Sequence, residues 1–280
     1  MLLAIGSVKG SPGVTTAAVA LAGRWPGVDV SVVVEADPAG GDLLVRFGLE
    51  AYPGMVSLAA AARRTSEAGL LWQHTQRLPG GLPVVVGAVG GDQAKAALGA
   101  LASSGGAGVL RQAADVDVKG DRSVVIADCG RVESGSAAAP VIRAADALLV
   151  LVRPRADELA HLAALLPTVS GWCATVWLVL CGDGYRPRDI ERELRVPVLG
   201  ALPDDPKGAA ALAGRPGVRN GPGRSPLGGA AARLAATIRA HPPGPAAQPV
   251  PAAQPVAAEP IPGAGWTGAS GASGGVAAGS

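Results

Sequence analysis

Seven short runs rich in valine, isoleucine and leucine recur over residues 2–8, 30–36, 82–88, 123–129, 147–152, 174–181 and 196–202. They are continuously apolar rather than alternating, the pattern of strands buried on both faces. Alanine-rich stretches with helical character lie between most of them, at 15–24, 91–102, 155–166, 187–194 and 206–213. Such alternation specifies an α/β fold, an open and mainly parallel twisted sheet with helices on both faces. Ligands of these sheets bind at the carboxyl ends of the strands. Chemistry is therefore expected in the loops after residues 8, 36, 128, 152, 181 and 202. Hydrophobic residues make up 49% of the 280, but aromatic ones only 3%. Helices should thus pack closely on alanine and glycine around a core of Leu, Val and Ile.

The same composition excludes several classes. A net charge of +2 gives no global field toward nucleic acid or anionic lipid. Cys129, Cys173 and Cys181 form no CxxC pair, and the three histidines are scattered, so neither a disulfide framework nor a zinc site is expected. A reducing, cytoplasmic compartment is the expectation. The opening "MLLAIGSV" reads as a strand rather than a signal peptide. No apolar run approaches the length that spans a bilayer. Composition changes near His241: residues 241–280 contain eight prolines, eight glycines and one charge, Glu259. Two domains follow, an α/β unit over 1–240 and a tail over 241–280 expected to be disordered.

Three loops could carry chemistry. The first, "VKGSPGVTT" (8–16), has glycines that let backbone amides approach an anion, ahead of a helix N-terminus. Against the pattern G-x-x-x-x-G-K-[ST] it has Val8 for the first glycine and Val14 for the lysine, so alone it reads equally as a strand-to-helix turn. The second, "VVVEADPAGGDLL" (32–44), ends a strand in Glu35, Asp37 and Asp42. The third, "VVIADCG" (124–130), ends in Asp128 and has the shape of a magnesium-holding Walker B element. Carboxylates at strand ends beside a phosphate loop can position magnesium or an attacking water.

In this order the segments resemble the ParA/MinD family of deviant Walker A P-loop ATPases, whose signature K-G-G-x-G-K-T-T is matched by "KGSPGVTT" at 9–16. The resemblance spans roughly 1–240 and includes "ADALLVLVRPRADELAHLAALL" (145–166) and "VPVLGALPDDPKGAAAL" (196–212). It implies ATP and Mg²⁺ as ligands and a homodimer as the assembly. Nucleotide contacts then fall on Lys9, Gly10, Ser11, Gly13, Val14, Thr15, Thr16, Pro203 and Asp204. The metal falls on Thr15, Asp37 and Asp128, with Asp37 orienting the attacking water and Lys9 reaching across the dimer.

The departures matter as much. Val14 removes a charge-assisted hydrogen bond, a loss of about 1.5–3 kcal/mol or roughly ten- to hundredfold in affinity. Pro12 has no amide to offer a phosphate. Asp42 resembles the G-D of the CpaE/TadZ branch, whose phosphate loops are often eroded. Cys181 and Asp183 stand where the family commonly has an asparagine near the base. The expectation is weak Mg-ATP binding and a dimerising positioning or partitioning switch with slow or no hydrolysis. The alternative is a non-hydrolysing scaffold that recruits a partner, for example for a secretion or division apparatus.

After Asp205 no acidic residue occurs before Glu259, while Lys207, Arg215, Arg219, Arg224, Arg233 and Arg239 do. A solvated helical face over 227–240 is the first reading, with Leu227, Leu234 and Ile238 inward. Non-specific DNA contact through the arginines, with nucleoid association, is the sharper one. A ParB-like or other cargo protein is the partner implied by the resemblance. The tail lacks the bulky apolar face needed for membrane docking.

Overall fold

The computed structural model describes residues 1–244 except 10–12, 28–29, 68, 104, 106, 116, 119–120 and 215–221. The tail from 245 onward lies outside the described residues. The chain runs β1 (Leu2–Ser7), α1 (Val14–Gly23), β2 (Ser31–Glu35), α2 (Leu43–Phe47), α3 (Met55–Ala62), α4 (Leu70–Gln73), β3 (Gln76–Arg77) and β4 (Pro83–Val85). It continues through α5 (Gly91–Ser103), α6 (Ala107–Asp115), the small pair β5 (Asp117–Val118) and β6 (Asp121–Arg122), β7 (Val124–Arg131) and α7 (Ala139–Ala144). The last part is β8 (Ala147–Val152), α8 (Ala156–Ser170), β9 (Val176–Cys181), α9 (Pro187–Leu194), β10 (Val198–Leu202), α10 (Pro206–Leu212) and α11 (Pro226–Ala240).

Eight strands form one sheet in the order β10-β9-β8-β1-β7-β2-β4-β3. Every pairing is parallel except the edge, where β3 runs antiparallel to β4. The continuous apolar runs have their explanation here. Leu2 and Ala4 of β1 enter one apolar cluster while Leu3 and Ile5 enter the other, and Leu148/Val150 against Leu149/Leu151 of β8 divide the same way. Strands clothed on both faces need apolar residues at every position. Helices α3–α9 contribute to the first cluster, α1, α2 and α11 to the second.

Small residues set the spacing, as the composition implies. A Cβ on Gly200 in β10 would meet the Cδ2 of Leu234 in α11 at 2.8 Å. Leu227, Leu234 and Ile238 face inward as expected. The strands expected from sequence are all present, most trimmed by up to three residues at an end, while β7 runs two residues past the expected 129; β8 and α9 match residue for residue. Helix α8 extends past the expected end at 166, through Pro167 to Ser170. The Pro167 carbonyl still accepts from the Gly171 amide, so the last turn closes without the proline N–H.

Strand order places the topological switch between β1 and β8. The chain leaves β1 toward β2 on one side and leaves β8 toward β9 on the other. The crevice at the carboxyl ends of these two strands is where such a sheet receives a ligand.

Candidate nucleotide site

The first expected loop enters α1 at Gly13, which has φ 85° and ψ 47°. That left-handed conformation favours glycine, and the Gly13 carbonyl accepts from the Ala17 amide as the helix begins. Gly10, Ser11 and Pro12 lie outside the described residues. Val14, where the resemblance has a lysine, opens the helix at 6% exposure and belongs to the apolar cluster beneath α1 and α11. A branched apolar side chain at this position joins the core.

Thr15 and Thr16 follow on the first turn. The Thr15 hydroxyl faces the Asp128 carboxyl and favours its ionised form; β7 brings Asp128 beside β1 through the register of Ile5 with Asp128. Asp128 Oδ1 also accepts from the Gly130 amide at 3.0 Å. Its Oδ2 is buried and accepts no hydrogen bond. Burial pushes the Asp128 carboxyl up to about 7, with Glu35 and Asp37 adding repulsion and the Thr15 hydroxyl and the Gly130 amide opposing it. A buried carboxylate oxygen without a donor is a costly arrangement for an ionised group unless a cation meets it.

The second loop separates three carboxylates that the sequence sets side by side. Glu35, directly opposite Asp128 in the β2–β7 register, is 2% exposed. Its Oε1 accepts from the amides of Asp42 (2.7 Å) and Leu43 (2.9 Å), and its Oε2 from Gly87 (2.9 Å). Those bonds tie α2 and the end of β4 to β2, so Glu35 is a structural clamp. Burial raises its carboxyl against the pull of the three amides. Asp37 is half-buried and accepts from the Ala39 amide at 2.8 Å. Its carboxylate lies against Gly130, which has φ 58°; a Cβ there would collide with the Asp37 carboxylate. Burial raises Asp37 as well. Asp42 turns outward to an ion pair with Arg46.

Lys9 pairs with Asp157 on the first turn of α8, Nζ to Oδ2 3.4 Å, and α8 follows β8, which lies on the other side of β1 from β7 and β2. Both groups are exposed, so the pair is screened and easily exchanged for another partner. Among the described residues no three His, Cys, Asp or Glu side chains form a metal-holding group by themselves. A cation here would take Asp128 Oδ2 and the Thr15 hydroxyl, with its remaining ligands from elsewhere.

Beside Gly13 opens a cavity of about 300 Å³. Its walls include Thr16, Arg153, Arg155, Asp183 and the Leu202–Pro206 loop, so the expected Pro203 and Asp204 line the same space as Gly13. Asp205 fixes that loop: Oδ1 caps α10 by accepting from the Gly208 amide (2.9 Å), and Oδ2 accepts from the Leu227 amide of α11 (3.1 Å). Cys181 also lines the cavity, with its thiol pushed up to about 12 chiefly by burial, so it is inert there.

No protein-family model matches the chain, and no curated protein does. Solved structures do. The ParA family ATPase of Chlorobium tepidum matches with a TM-score of 0.64 at 16% identity, covering 83% of this chain and 98% of that one. The fold is that of the ParA and MinD ATPases. The cell division ATPase MinD of Pyrococcus furiosus gives 0.60 at 19% identity, over 85% and 98% of the two chains. The septum site-determining protein MinD of Pyrococcus horikoshii, solved as a complex with Mg-ADP, gives 0.55 at 16%, over 85% and 95%.

In this ParA/MinD fold the structure gathers Gly13, Val14, Thr15, Thr16, Asp37 and Asp128 at the ends of β1, β7 and β2, with Pro203 and Asp204 across the cavity. Arg153 and Arg155 also line the cavity; neither is among the site residues that the resemblance implies, although they stand in the loop after β8, one of the strand ends where chemistry is expected. Of the five arginines weighed for DNA, Arg215 and Arg219 lie outside the described residues. Arg224 and Arg233 are exposed, and Arg239 donates to the Pro26 carbonyl at 2.8 Å. Among the described residues no helix is long and apolar enough to cross a membrane.

Proposed function

We propose that this chain is a ParA/MinD-type protein that binds Mg-ATP weakly and acts as a dimerising positioning or partitioning switch, with slow or no hydrolysis. One observation carries the reading. The unpartnered Asp128 Oδ2 is buried beside the Thr15 hydroxyl, at the helix entrance formed by a left-handed Gly13. A divalent cation fits that pair, a hard oxygen donor set at the mouth of a helix N-terminus. The cavity from Gly13 and Thr16 to Pro203 and Asp204 accommodates the rest of a nucleotide. Magnesium held by Thr15 and Asp128 would neutralise phosphate charge, and Asp37 would orient the attacking water.

Weak binding follows from Val14, whose buried methyls offer the phosphates nothing. Lys9 is the signature lysine that remains, and release from Asp157 would free it for a partner copy. The homodimer, a ParB-like or cargo partner, and DNA contact through Arg224 and Arg233 belong to this same reading.

A thermal-shift titration with Mg-ATP tests it. Free ligand at about ten times its Kd stabilises by about 1.4 kcal/mol, which raises Tm by about 3–6 °C for a domain of this size. Absence of any shift at about 5 mM Mg-ATP leaves the non-hydrolysing scaffold as the function. Val14→Lys is expected to tighten ATP binding at least about tenfold. An unchanged affinity in that variant means that the loop differs from the signature in geometry as well as in charge.

A further inference from the structure

The cavity beside Gly13 has walls of opposite charge. Arg153 and Arg155, from the β8–α8 loop, stand on the side of β1 and the phosphate loop. Asp183, Asp204 and Asp205 stand on the side of β9 and β10. Asp205 is occupied by the backbone amides of Gly208 and Leu227, so Asp183 and Asp204, both exposed, are the free carboxylates of that wall.

The cationic wall is held in place. Glu158, only 7% exposed, accepts from the Arg153 amide at 2.9 Å and from its Nη1 at 3.2 Å. The Arg155 amide in turn donates to the Arg153 carbonyl at 2.7 Å. Glu158 thus neutralises Arg153 while fixing the loop, and Arg155 projects from that fixed loop. Among the described residues no carboxylate pairs with the exposed Arg155 guanidinium. An uncompensated guanidinium on the rim of a cavity that also exposes a helix entrance is the arrangement that receives a phosphate, bidentately and at modest desolvation.

We propose that Arg155 supplies the phosphate-binding charge that Val14 lacks, and that the cavity therefore takes a nucleotide with its phosphates between Gly13 and Arg155. Arg153 is a positioning residue, acting through Glu158. The acidic wall then faces the nucleoside end, where carboxylates accept from hydroxyl and amino groups. The inference rests on the nucleotide-binding reading above.

The test compares ATP and adenosine binding by calorimetry, with magnesium, for the wild type, Arg155→Ala and Arg155→Lys. Arg155→Ala is expected to weaken ATP about ten- to hundredfold and to leave adenosine within about twofold. Arg155→Lys is expected to recover part of the ATP loss, since a point charge remains without the planar fork. Arg155 is exposed, so the variants should fold, and an unchanged Tm without ligand verifies it. Equal ATP affinity in wild type and Arg155→Ala overturns the assignment and leaves the nucleotide reading standing. Parallel loss of ATP and adenosine overturns it too, because Arg155 would then be shaping the cavity. A wild type that binds neither ligand removes the nucleotide reading itself.

Discussion

Glu35→Ala is expected to lower the stability of the folded chain by about 3–5 kcal/mol, among the largest effects of any single substitution here. The side chain sits at the carboxyl end of β2, where three amides from two distant segments converge on its two oxygens. Removing it leaves the N–H groups of Leu43 and Gly87 buried without acceptors, and the amide of Asp42 partly so. The backbone segments around it are already in close contact, which limits collapse onto the vacated space. A Cβ on Gly41 would meet Glu35 Oε2 at 2.6 Å and the Gly87 Cα at 2.8 Å, so the segments already touch. One gain opposes the loss: the charge of Glu35 repels Asp128, and alanine relieves that. The relief is smaller than three lost charge-assisted bonds. Glu35→Gln separates the contributions. Its carbonyl oxygen can keep the pair at Asp42 and Leu43, while its NH₂ group would face the Gly87 N–H donor to donor. An intermediate loss of about 1–3 kcal/mol is expected. Urea unfolding at constant m reads both values. An alanine variant within about 0.5 kcal/mol of wild type would mean that the three amides find other partners.

This glutamate also marks the boundary of what the sequence discloses. The strand ends were legible because apolar runs announce buried strands, and a phosphate-type loop, an acidic loop and an Asp-terminated strand in chain order announce the site. The roles within "EADPAGGD" were not. Glu35, Asp37 and Asp42 are chemically alike and lie within eight residues, yet one clamps backbone, one rests on Gly130 and one pairs with Arg46 at the surface. What distinguishes them is the Gly87 amide, 52 residues on, and the glycine at 130. Arg155 was hidden for a related reason. Its place beside Gly13 depends on β8 lying next to β1, a strand order that periodicity does not encode. The short helices α2, α4 and α7, of four to six residues, carry too few turns for a periodic signal.

Asp128→Asn is expected to stabilise the ligand-free protein at pH 8 while abolishing its response to magnesium nucleotide. Burial holds the Asp128 carboxyl at about 7 in the folded chain against an ordinary 3.8. Between about pH 4 and pH 7 the folded state therefore binds more protons than the unfolded one, so stability falls as pH rises through that window. Glu35 and Asp37, raised mainly by burial, act in the same direction. At pH 8 the ionised Asp128 carries a penalty of roughly 4 kcal/mol as an upper bound, at about 1.4 kcal/mol per pKa unit. Asparagine keeps the size and one acceptor for Thr15 and the Gly130 amide, and loses the charge. Its NH₂ group takes the place of the unpartnered Oδ2 and gains no partner, which offsets part of the benefit. A net gain of about 1–3 kcal/mol at pH 8 is expected, shrinking as pH falls and vanishing near pH 4. Chemical unfolding at several pH values measures it, and a gain that does not vary with pH would show that charge is not its source. Mg-ATP should raise the wild-type Tm at pH 8 and leave the variant unmoved, because the cation stabilises only the carboxylate. The site thus holds its instability in reserve, as a buried charge that is relieved when a ligand brings the opposite one.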